Sequence, residues 1–173
     1  MDLRDAAPDD LPAIQAIYRH HVLRGLASFE EEPPDVAEMQ RRHADIAGRG
    51  LPYLVAIEGA EILGYGYCAP YRARTAYRYT LEDSVYIRDG LGGRGIGTAL
   101  LGELIRRSEA LGYRQLVAVI GDSANAASIA LHARLGFVRA GLLRSSGFKF
   151  GRWVDSVMMQ RPLGRGDMTP PST

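Results

Sequence analysis

Apolar residues in the first half of the chain recur at two spacings, one typical of helices and one typical of strands. After a short strand-like start, residues 11–18 place their apolar side chains on one helical face, and a second helix is expected after Pro33 and Pro34. The segment "PYLVAIEGAEILGYGYCAPY" indicates two antiparallel strands joined by a turn at Gly59. The first half therefore predicts one strand, two helices and a strand pair.

The second half interleaves strands with helices. "TLEDSVYI" and "QLVAVIG" are strand-like, and the segment between them contains an amphipathic helix. "NAASIALHARLGF" is a further helix, ended by Gly136, and the strands "FVRAGLLRSS" and "WVDSVMMQRPL" follow it. The predicted order is β α α β β β α β α β β, an α+β sheet covered by helices. We expect one domain over residues 1–163 and a disordered polar tail over residues 164–173.

Composition and charge narrow the classes of partner. With 173 residues and 46% hydrophobic content the chain suits one compact core, and a net charge of +1 offers little attraction for nucleic acid. We find neither a secretory leader nor an apolar run of about 18 residues, so we expect a cytoplasmic protein without a membrane span. The single Cys68 excludes an intrachain disulfide, and no cluster of residues has metal-ligand spacing.

A glycine-rich loop, "GLGGRGIGTALL", occupies residues 90–101. It contains five glycines within eight positions and lies between a predicted strand and the start of a predicted helix. Backbone N–H groups at the start of a helix form the positive end of its dipole and favour phosphate. A glycine-rich connector without a ligand would not explain so many glycines beside a helix start. The loop therefore indicates a phosphate-bearing ligand.

Two common phosphate-binding designs match this loop only formally. Gly90, Gly92 and Gly95 satisfy the G-x-G-x-x-G spacing of dinucleotide-binding domains, but those domains need repeated βα units and here an antiparallel strand pair comes first. A P-loop would need a lysine after Gly97, and Thr98 stands there instead. Neither a dinucleotide domain nor a nucleotide hydrolase is therefore favoured.

A third design fits the loop and much of the remaining chain. "VYIRDGLGGRGIGTALL" resembles the pyrophosphate loop of the GNAT superfamily of acyl-CoA-dependent N-acetyltransferases, (Q/R)-x-x-G-x-(G/A), with Gly95 and Gly97 as its last glycines. Gly92 stands where that family has Gln or Arg, and we expect Arg94 to replace part of the lost contact. "PYRARTAYRYTLEDSVYI", "LVAVIGDSANAASIALHARLGF" and "LLRSSGFKFGRWVD" resemble the phosphinothricin acetyltransferase branch, whose close relatives also acetylate methionine sulfoximine and methionine sulfone. The resemblance covers residues 2–163.

The resemblance implies a fold and a cofactor. The fold is the GNAT acyl-CoA N-acyltransferase fold: α+β, with a mixed, mostly antiparallel central sheet that contains a splayed parallel strand pair and is flanked by helices. The co-substrate is acetyl-CoA, held by a backbone cradle, an added half-strand along the strand before the loop, and the start of the following helix. The expected cofactor-binding residues are Val85, Tyr86, Ile87, Gly93, Arg94, Gly95, Ile96, Gly97, Thr98, Asn125 and Ser128. For Asn125 and Ser128, simple helix capping is the alternative.

Acyl transfer to an amine needs a base for the ammonium and an acid for the departing thiolate. Glu82 matches the general base of the family, which is expected to act through water once burial has raised its pKa. Asp83 alternates to the opposite face of the strand and is set aside. His132 lies two helical turns after Asn125, where this branch carries histidine, and is the expected acid or proton relay. Purely structural roles for Glu82 and His132 remain the alternatives.

The resemblance also implies an acceptor pocket for a small zwitterion. Arg72 and Arg74, with Tyr77, align with the substrate segment of the branch, and guanidinium groups suit a carboxylate or phosphinate. Phe29 is the expected aromatic wall. Lys149 and Trp153 are expected to border the pocket or a dimer contact, with solvated arginines and a core tryptophan as the alternatives.

The sequence therefore predicts an acetyl-CoA-dependent N-acetyltransferase that acts on a small amino-acid-like substrate by direct transfer in a ternary complex. We expect no metal cofactor. We expect the protein to form a homodimer. Two other functions stay open: a GNAT enzyme for another amine, such as a polyamine, an aminoglycoside or a protein N-terminus, and a non-catalytic acyl-CoA-binding module.

Overall fold

The computed structural model describes residues 1–171. Within that part of the chain the backbone forms seven strands and four helices, in the order that the sequence predicts. The strands are β1 (Asp2–Asp5), β2 (Tyr53–Glu58), β3 (Glu61–Pro70), β4 (Thr80–Ile87), β5 (Gln115–Gly121), β6 (Val138–Lys149) and β7 (Arg152–Pro162). The helices are α1 (Leu11–Arg24), α2 (Val36–Gly48), α3 (Ile96–Ala110) and α4 (Ala126–Arg134).

All seven strands join one mixed sheet in the order β1-β2-β3-β4-β5-β7-β6. Neighbouring strands are antiparallel except β4 and β5, which run parallel. A parallel pair needs a crossover connection, and helix α3 provides it. This arrangement confirms the predicted fold class.

The parallel pair separates along its length. β4 and β5 are paired only from Thr80 and Gln115 to Asp83 and Ala118. Beyond those residues β4 continues to residue 87 and β5 to residue 121, but they no longer pair with each other. The predicted splay is confirmed, and it leaves a wedge that opens toward the carboxyl ends of both strands.

Helices cover both faces of the sheet, as the apolar stripes of the sequence require. The predicted stripe of α1 is buried, and so is that of α3, in which Leu100, Leu101 and Leu104 are fully inaccessible. Each such leucine contributes about 2 kcal/mol of burial free energy. Helix α1 contacts β3 and β4, where Tyr18 packs edge-on against Tyr86, and Leu104 of α3 reaches the backbone of β3 at Gly66.

The longest helix of residues 1–171 has 15 residues, and none of the helices there is both long and apolar enough to cross a membrane. The cytoplasmic location stays a prediction.

The chain after β7 is held by Arg114, whose guanidinium donates to the backbone oxygens of Gly166 and Thr169. Turns occupy residues 164–167. Disorder of residues 164–173 stays a prediction, and its last two residues lie outside the described part of the chain.

Candidate functional site

An open cleft occupies the wedge between β4 and β5. Its empty volume is about 390 Å³, part of which is open to solvent. Residues 83–86 of β4 and 118–121 of β5 form its walls, and Asn125, Ser128 and His132 of α4 line it as well. The sheet topology therefore collects residues of three elements around one opening.

The glycine loop leads from β4 into α3 at the open end of this cleft. Gly90, Gly93 and Gly95 have φ angles of 77°, 79° and 80°, which side chains rarely adopt. Gly95 is also the N-cap of α3, so this helix start has no side-chain cap. Within residues 1–171, none of the seven backbone N–H groups from Gly92 to Thr98 donates a hydrogen bond. This run of donors at the positive end of a helix is a cradle for an anion.

Few side chains crowd this cradle. Gly92 faces open space, since an added Cβ would meet no atom within 4 Å. An added Cβ at Gly97 would lie 3.1 Å from Leu131 of α4, so Gly97 permits close packing of α3 against α4. Arg94 forms a long ion pair with Glu58, at 3.4 Å, on the exposed surface. The predicted contribution of Arg94 in place of the usual Gln or Arg stays a prediction.

The strand before the loop offers a free edge to the cleft. Val85, Tyr86 and Ile87 pair with β3 but not with β5. Tyr86 is fixed by Tyr18, with 5.0 Å between the ring centroids. His21 Nε2 lies 2.7 Å from the backbone oxygen of Ile87. The segment expected to pair with the coenzyme is thus unpaired on one side and held rigidly on the other.

Glu82 lies at the closed end of the splay, in register with Val117 of β5. Its side chain points to the same face of β4 as that of Tyr86, because the two residues are four positions apart and strand side chains alternate between faces. Burial raises the pKa of Glu82, the adjacent charge of Asp83 raises it further, and Arg72 lowers it. A raised pKa makes the ionised carboxylate a better proton acceptor near neutral pH.

Asp83, which the sequence analysis set aside, contacts His132. Asp83 does point to the face opposite Glu82. On that face its Oδ2 lies 2.9 Å from His132 Nε2. Both side chains are buried, with 1% of Asp83 and 5% of His132 exposed. His132 Nδ1 lies 2.7 Å from the backbone oxygen of Ser128. Burial by itself lowers the pKa of His132, but Asp83 and the Ser128 carbonyl outweigh it, so the pKa is raised.

Asn125 and Ser128 occupy the start of α4 at the cleft. Asn125 is the N-cap, and its Oδ1 accepts a hydrogen bond of 3.2 Å from the backbone N–H of Ser128. The capping role proposed as the alternative is therefore present, and both residues also line the cleft. Capping orients the two side chains without removing them from the opening.

The two predicted acceptor arginines have different surroundings. Arg72 lies over the ring of Tyr71, 5.0 Å from its centroid, and is near enough to Glu82 to lower the pKa of that carboxyl. Tyr77 packs edge-on against the same Tyr71. Within the described chain, the guanidinium of Arg74 has no hydrogen bond or ion pair, and the side chain is exposed. The structure brings Arg72 toward the predicted base and leaves Arg74 free.

Phe29 and Lys149 both take part in the packing of the loop after α1 against strand β6. The ring of Phe29 lies against Gly147 of β6, where an added Cβ would come within 2.5 Å of it. Lys149 is 2% exposed, and its Nζ donates to the backbone oxygens of Gly25 at 3.0 Å and Ser28 at 2.6 Å. Burial lowers the pKa of Lys149. Lys149 thus holds the loop that carries Phe29, and contact of its ammonium with a substrate stays a prediction.

Trp153 is not among the residues that line the cleft and stands near the tip of the β6–β7 hairpin, so its place at the acceptor pocket or at a dimer contact stays a prediction. It is 65% exposed and packs edge-on against Phe148, which is 56% exposed. It is not a core residue.

A pocket lined by tyrosines was missed by the sequence analysis. Its empty volume is about 630 Å³, including open solvent. Tyr65 and Tyr67 stand two positions apart in a strand-like segment, which places both on one face, and this signal was available from the sequence. The lining residues are Tyr18, Met39, Arg42, Asp45, Ile46, Tyr53, Tyr65, Tyr67 and Ala69.

Among residues 1–171 no group of three or more His, Cys, Asp or Glu side chains could hold a metal ion. Cys68 is fully buried, and burial raises the pKa of its thiol to about 12. Its sulfur accepts a hydrogen bond from Ser108 Oγ at 3.5 Å. The thiol is therefore neutral and enclosed at physiological pH.

Comparison with known proteins gives consistent matches over nearly the whole chain. Residues 14–137 match the Acetyltransferase (GNAT) family. The chain is 58% identical over 169 residues to phosphinothricin N-acetyltransferase of Alcaligenes faecalis, covering 98% of this chain and 86% of the relative. It is 45% identical to L-methionine sulfoximine/L-methionine sulfone acetyltransferase of Pseudomonas aeruginosa, covering 93% of this chain and 94% of that enzyme.

A solved structure is similarly close. A GNAT superfamily phosphinothricin acetyltransferase from Sinorhizobium meliloti, in complex with acetyl-CoA, superposes with a TM-score of 0.96 at 50% identity. The alignment covers 99% of this chain and 92% of that chain. Together with the splayed sheet and the glycine cradle, these matches place the chain in the GNAT family of acetyltransferases.

Proposed function

We propose that this protein transfers the acetyl group of acetyl-CoA to the amino group of a small amino-acid-like acceptor of the phosphinothricin, methionine sulfoximine or methionine sulfone type. The relatives named above supply this acceptor class through their substrates. The observation that carries the proposal is the placement of three parts along the splay of β4 from β5: the free N–H groups of residues 92–98, the unpaired edge of residues 84–87 and the half-buried carboxylate of Glu82.

The residues of the cleft fit the chemistry of acetyl-CoA, which supplies the thioester. The N–H groups from Gly92 to Thr98 would hold its diphosphate at the start of α3. The free edge of Val85, Tyr86 and Ile87 would pair with the amides of the pantetheine arm, as an added half-strand does. The closed end of the splay then directs the thioester toward Glu82.

Glu82 would act as the general base. An amino acid carries an ammonium at neutral pH, and this group must lose a proton before it can attack the thioester. The carboxylate of Glu82 is half-buried, and its raised pKa strengthens it as a proton acceptor, directly or through one water. His132, on the opposite face of β4 beside the same cleft, would serve the departing thiolate.

Direct transfer from the thioester to the amine is the proposed route. A route through an acetylated cysteine needs an accessible thiolate. Cys68 has no exposed surface and burial raises the pKa of its thiol to about 12, so it suits no such role. The acetyl group would therefore pass between two substrates that are bound together.

The acceptor would lie beside Glu82 on the face of the sheet opposite Asp83. Arg74 has a guanidinium without a partner in the described residues, and it would bind the acceptor carboxylate. Arg72, near Glu82, would line the reacting end, and Tyr77 and Phe29 would form apolar walls. This assignment gives four of the six predicted acceptor residues a separate contact.

A homodimer is also part of the proposal. β6 is an edge strand, and the β6–β7 hairpin exposes several large apolar side chains, of which Phe148 and Trp153 are in contact. Exposed apolar side chains on an edge strand favour association with another chain. The exposed side chains are Val138, Leu143, Phe148, Phe150 and Trp153. Light scattering should report twice the chain mass of 18.9 kDa, and a monomer for Trp153→Arg.

The function is tested by measuring release of free thiol from acetyl-CoA over a panel of amines. Activity on phosphinothricin, methionine sulfoximine or methionine sulfone is the expected result, with mass spectrometry showing one acetyl group on the amine. Turnover only with a polyamine, an aminoglycoside or a peptide N-terminus would show that the proposed acceptor class is wrong and would assign that amine instead. Tight binding of acetyl-CoA without turnover of any amine would contradict the enzymatic function and favour a binding module.

A further inference from the structure

His132 cannot reach a thiolate directly in this geometry, because both of its ring nitrogens face partners. Nδ1 lies 2.7 Å from the backbone oxygen of Ser128, and Nε2 lies 2.9 Å from Asp83 Oδ2. A carbonyl oxygen only accepts hydrogen bonds, so Nδ1 carries a proton. Nε2 lies within hydrogen-bond distance of the Asp83 carboxylate, which raises the pKa of His132, so Nε2 carries a second proton. His132 and Asp83 therefore form one protonated unit.

The hydroxyl of Ser128 connects this unit with the cleft. Ser128 Oγ lies 3.4 Å from His132 Nδ1, and Ser128 is partly exposed whereas His132 and Asp83 are buried. The shorter contact of Nδ1 is with the Ser128 carbonyl, so the Nδ1 proton lies between two oxygens of the same residue. Asp83, His132 and Ser128 thus form a chain from the interior to the cleft wall.

Asp83 has a second feature that a structural ion pair does not require. Its Oδ1 is buried and has no hydrogen-bond partner within residues 1–171. A buried acceptor without a partner destabilises the folded chain, so it calls for an explanation. His132 is the one hydrogen-bond partner of this carboxylate in the described chain, and Asp83 is among the residues that line the cleft.

We propose that Asp83, His132 and Ser128 form a proton relay on the leaving-group side of the cleft, with Asp83 as a positioning residue that keeps His132 protonated. The inference rests on the proposed acetyl transfer. As the C–N bond forms and the C–S bond breaks, the thiolate takes the hydroxyl proton of Ser128, and Ser128 Oγ takes the Nδ1 proton of His132. Glu82 takes the first proton of the ammonium, and the second, lost by the nitrogen after attack, reloads the relay through solvent.

Few charged groups determine the protonation of this relay. In the described chain, Asp83 of β4 is the charged group that faces His132, whose ring otherwise packs edge-on against Phe137 at 5.0 Å. Asp83 in turn interacts with the charge of Glu82 and with Cys68 of β3, whose thiol is neutral. A change at Asp83 should therefore move the titration of His132 more than any other substitution nearby.

The test is the pH profile of kcat for Asp83→Asn, which keeps the size of the side chain and removes its charge. In the wild-type enzyme kcat should fall as pH rises through the raised pKa of the relay, because the relay must be protonated. In Asp83→Asn this fall should occur at lower pH, with kcat reduced about tenfold or more at pH 8 and the KM for acetyl-CoA unchanged. Ser128→Ala should lower kcat without moving the fall, and Asp2→Asn should change neither.

A second measurement does not depend on activity. Nitrogen-15 NMR of the imidazoles should show both nitrogens of His132 protonated at pH 7 in the wild type, and Nε2 unprotonated in Asp83→Asn. An unshifted pH profile in a folded Asp83→Asn variant, or an unprotonated Nε2 in the wild type, would overturn the relay. If the wild type acetylates its amine, either of these results contradicts the relay alone and leaves the acetyltransferase function intact. If the wild type turns over no amine, the acetyltransferase function itself is contradicted.

Discussion

The carboxylates of Glu82 and Asp83 are neighbours in strand β4 but lie on opposite faces of the sheet. Glu82 stands at the closed end of the splay, where burial raises its pKa. Asp83 contacts His132 of α4, with 2.9 Å between Oδ2 and Nε2. One strand therefore presents a base on the side proposed for the amine and a protonated pair on the side proposed for the thiolate.

Replacing Glu82 with Gln should reduce kcat/KM by about 10²–10⁴-fold, the usual contribution of a general base. In the wild type, activity should rise with pH through the pKa of Glu82, above the ordinary range of an exposed glutamate, because only the ionised form accepts a proton. Glu82→Gln should lose this rise. Calorimetry should show unchanged affinity for acetyl-CoA, and near-wild-type rates in the variant would remove Glu82 from the mechanism.

Arg72 and Arg74 should give different kinetic signatures. The positive charge of Arg72 lowers the pKa of Glu82, so Arg72→Ala should move the rise of activity to higher pH. Arg74→Ala should leave that rise in place and increase the acceptor KM about tenfold, because a charge-assisted contact with the carboxylate is lost. Steady-state rates from pH 5 to 9 separate the two, and an unchanged KM in Arg74→Ala would move the carboxylate site elsewhere.

A side chain at position 92 should change coenzyme affinity according to its charge. Gly92 faces open space beside the cradle, so a side chain fits there without displacing another atom. Gly92→Arg should tighten binding of acetyl-CoA by up to about fivefold, since an exposed charge contact is worth about 0.2–1 kcal/mol. Gly92→Glu is the matched control and should weaken binding. Equal dissociation constants for both variants would place the diphosphate away from this loop.

Gly147 should tolerate no side chain, because its backbone lies under the ring of Phe29. An alanine Cβ would come within 2.5 Å of that ring, which would have to move. Gly147→Ala should lower Tm and raise the acceptor KM together. The control is Gly102→Ala in helix α3, where an added Cβ meets nothing within 4 Å and alanine should stabilise by about 0.5–1 kcal/mol. A Tm for Gly147→Ala equal to that of the wild type would contradict the packing of the Phe29 ring against Gly147.

Cys68→Ala should keep its turnover. The thiol is fully buried, and burial raises its pKa to about 12, so no nucleophile is removed. We expect a modest fall in Tm from the lost packing and wild-type kcat below that Tm. Loss of turnover in a folded variant, or an acetylated enzyme seen by mass spectrometry, would contradict direct transfer.

The order of elements and the α3 stripe could be predicted because they depend on local periodicity. Residues 96–108 repeat apolar side chains at helical spacing, and the same residues are buried in the structure. The glycine loop could be recognised because its backbone demands glycine at Gly93 and Gly95. The splay followed from resemblance to a known fold and not from any pattern within the strands.

The contact between Asp83 and His132 could not be predicted, because 49 positions separate the two residues in the chain. Strand alternation places Asp83 on the face opposite Glu82 but does not say which helix lies there. The burial of Lys149 could not be predicted for the same reason. It depends on the loop from Gly25 to Ser28, which precedes Lys149 by more than a hundred residues. Long-range packing of charged side chains carries no local signal.

The most direct test of the account is a crystal structure of this protein with acetyl-CoA. We predict the diphosphate within hydrogen-bond distance of the N–H groups of residues 92–98, the pantetheine arm along residues 84–87, and the thioester between Glu82 and Ser128. A diphosphate bound elsewhere, or a thioester directed away from Glu82, would contradict the account.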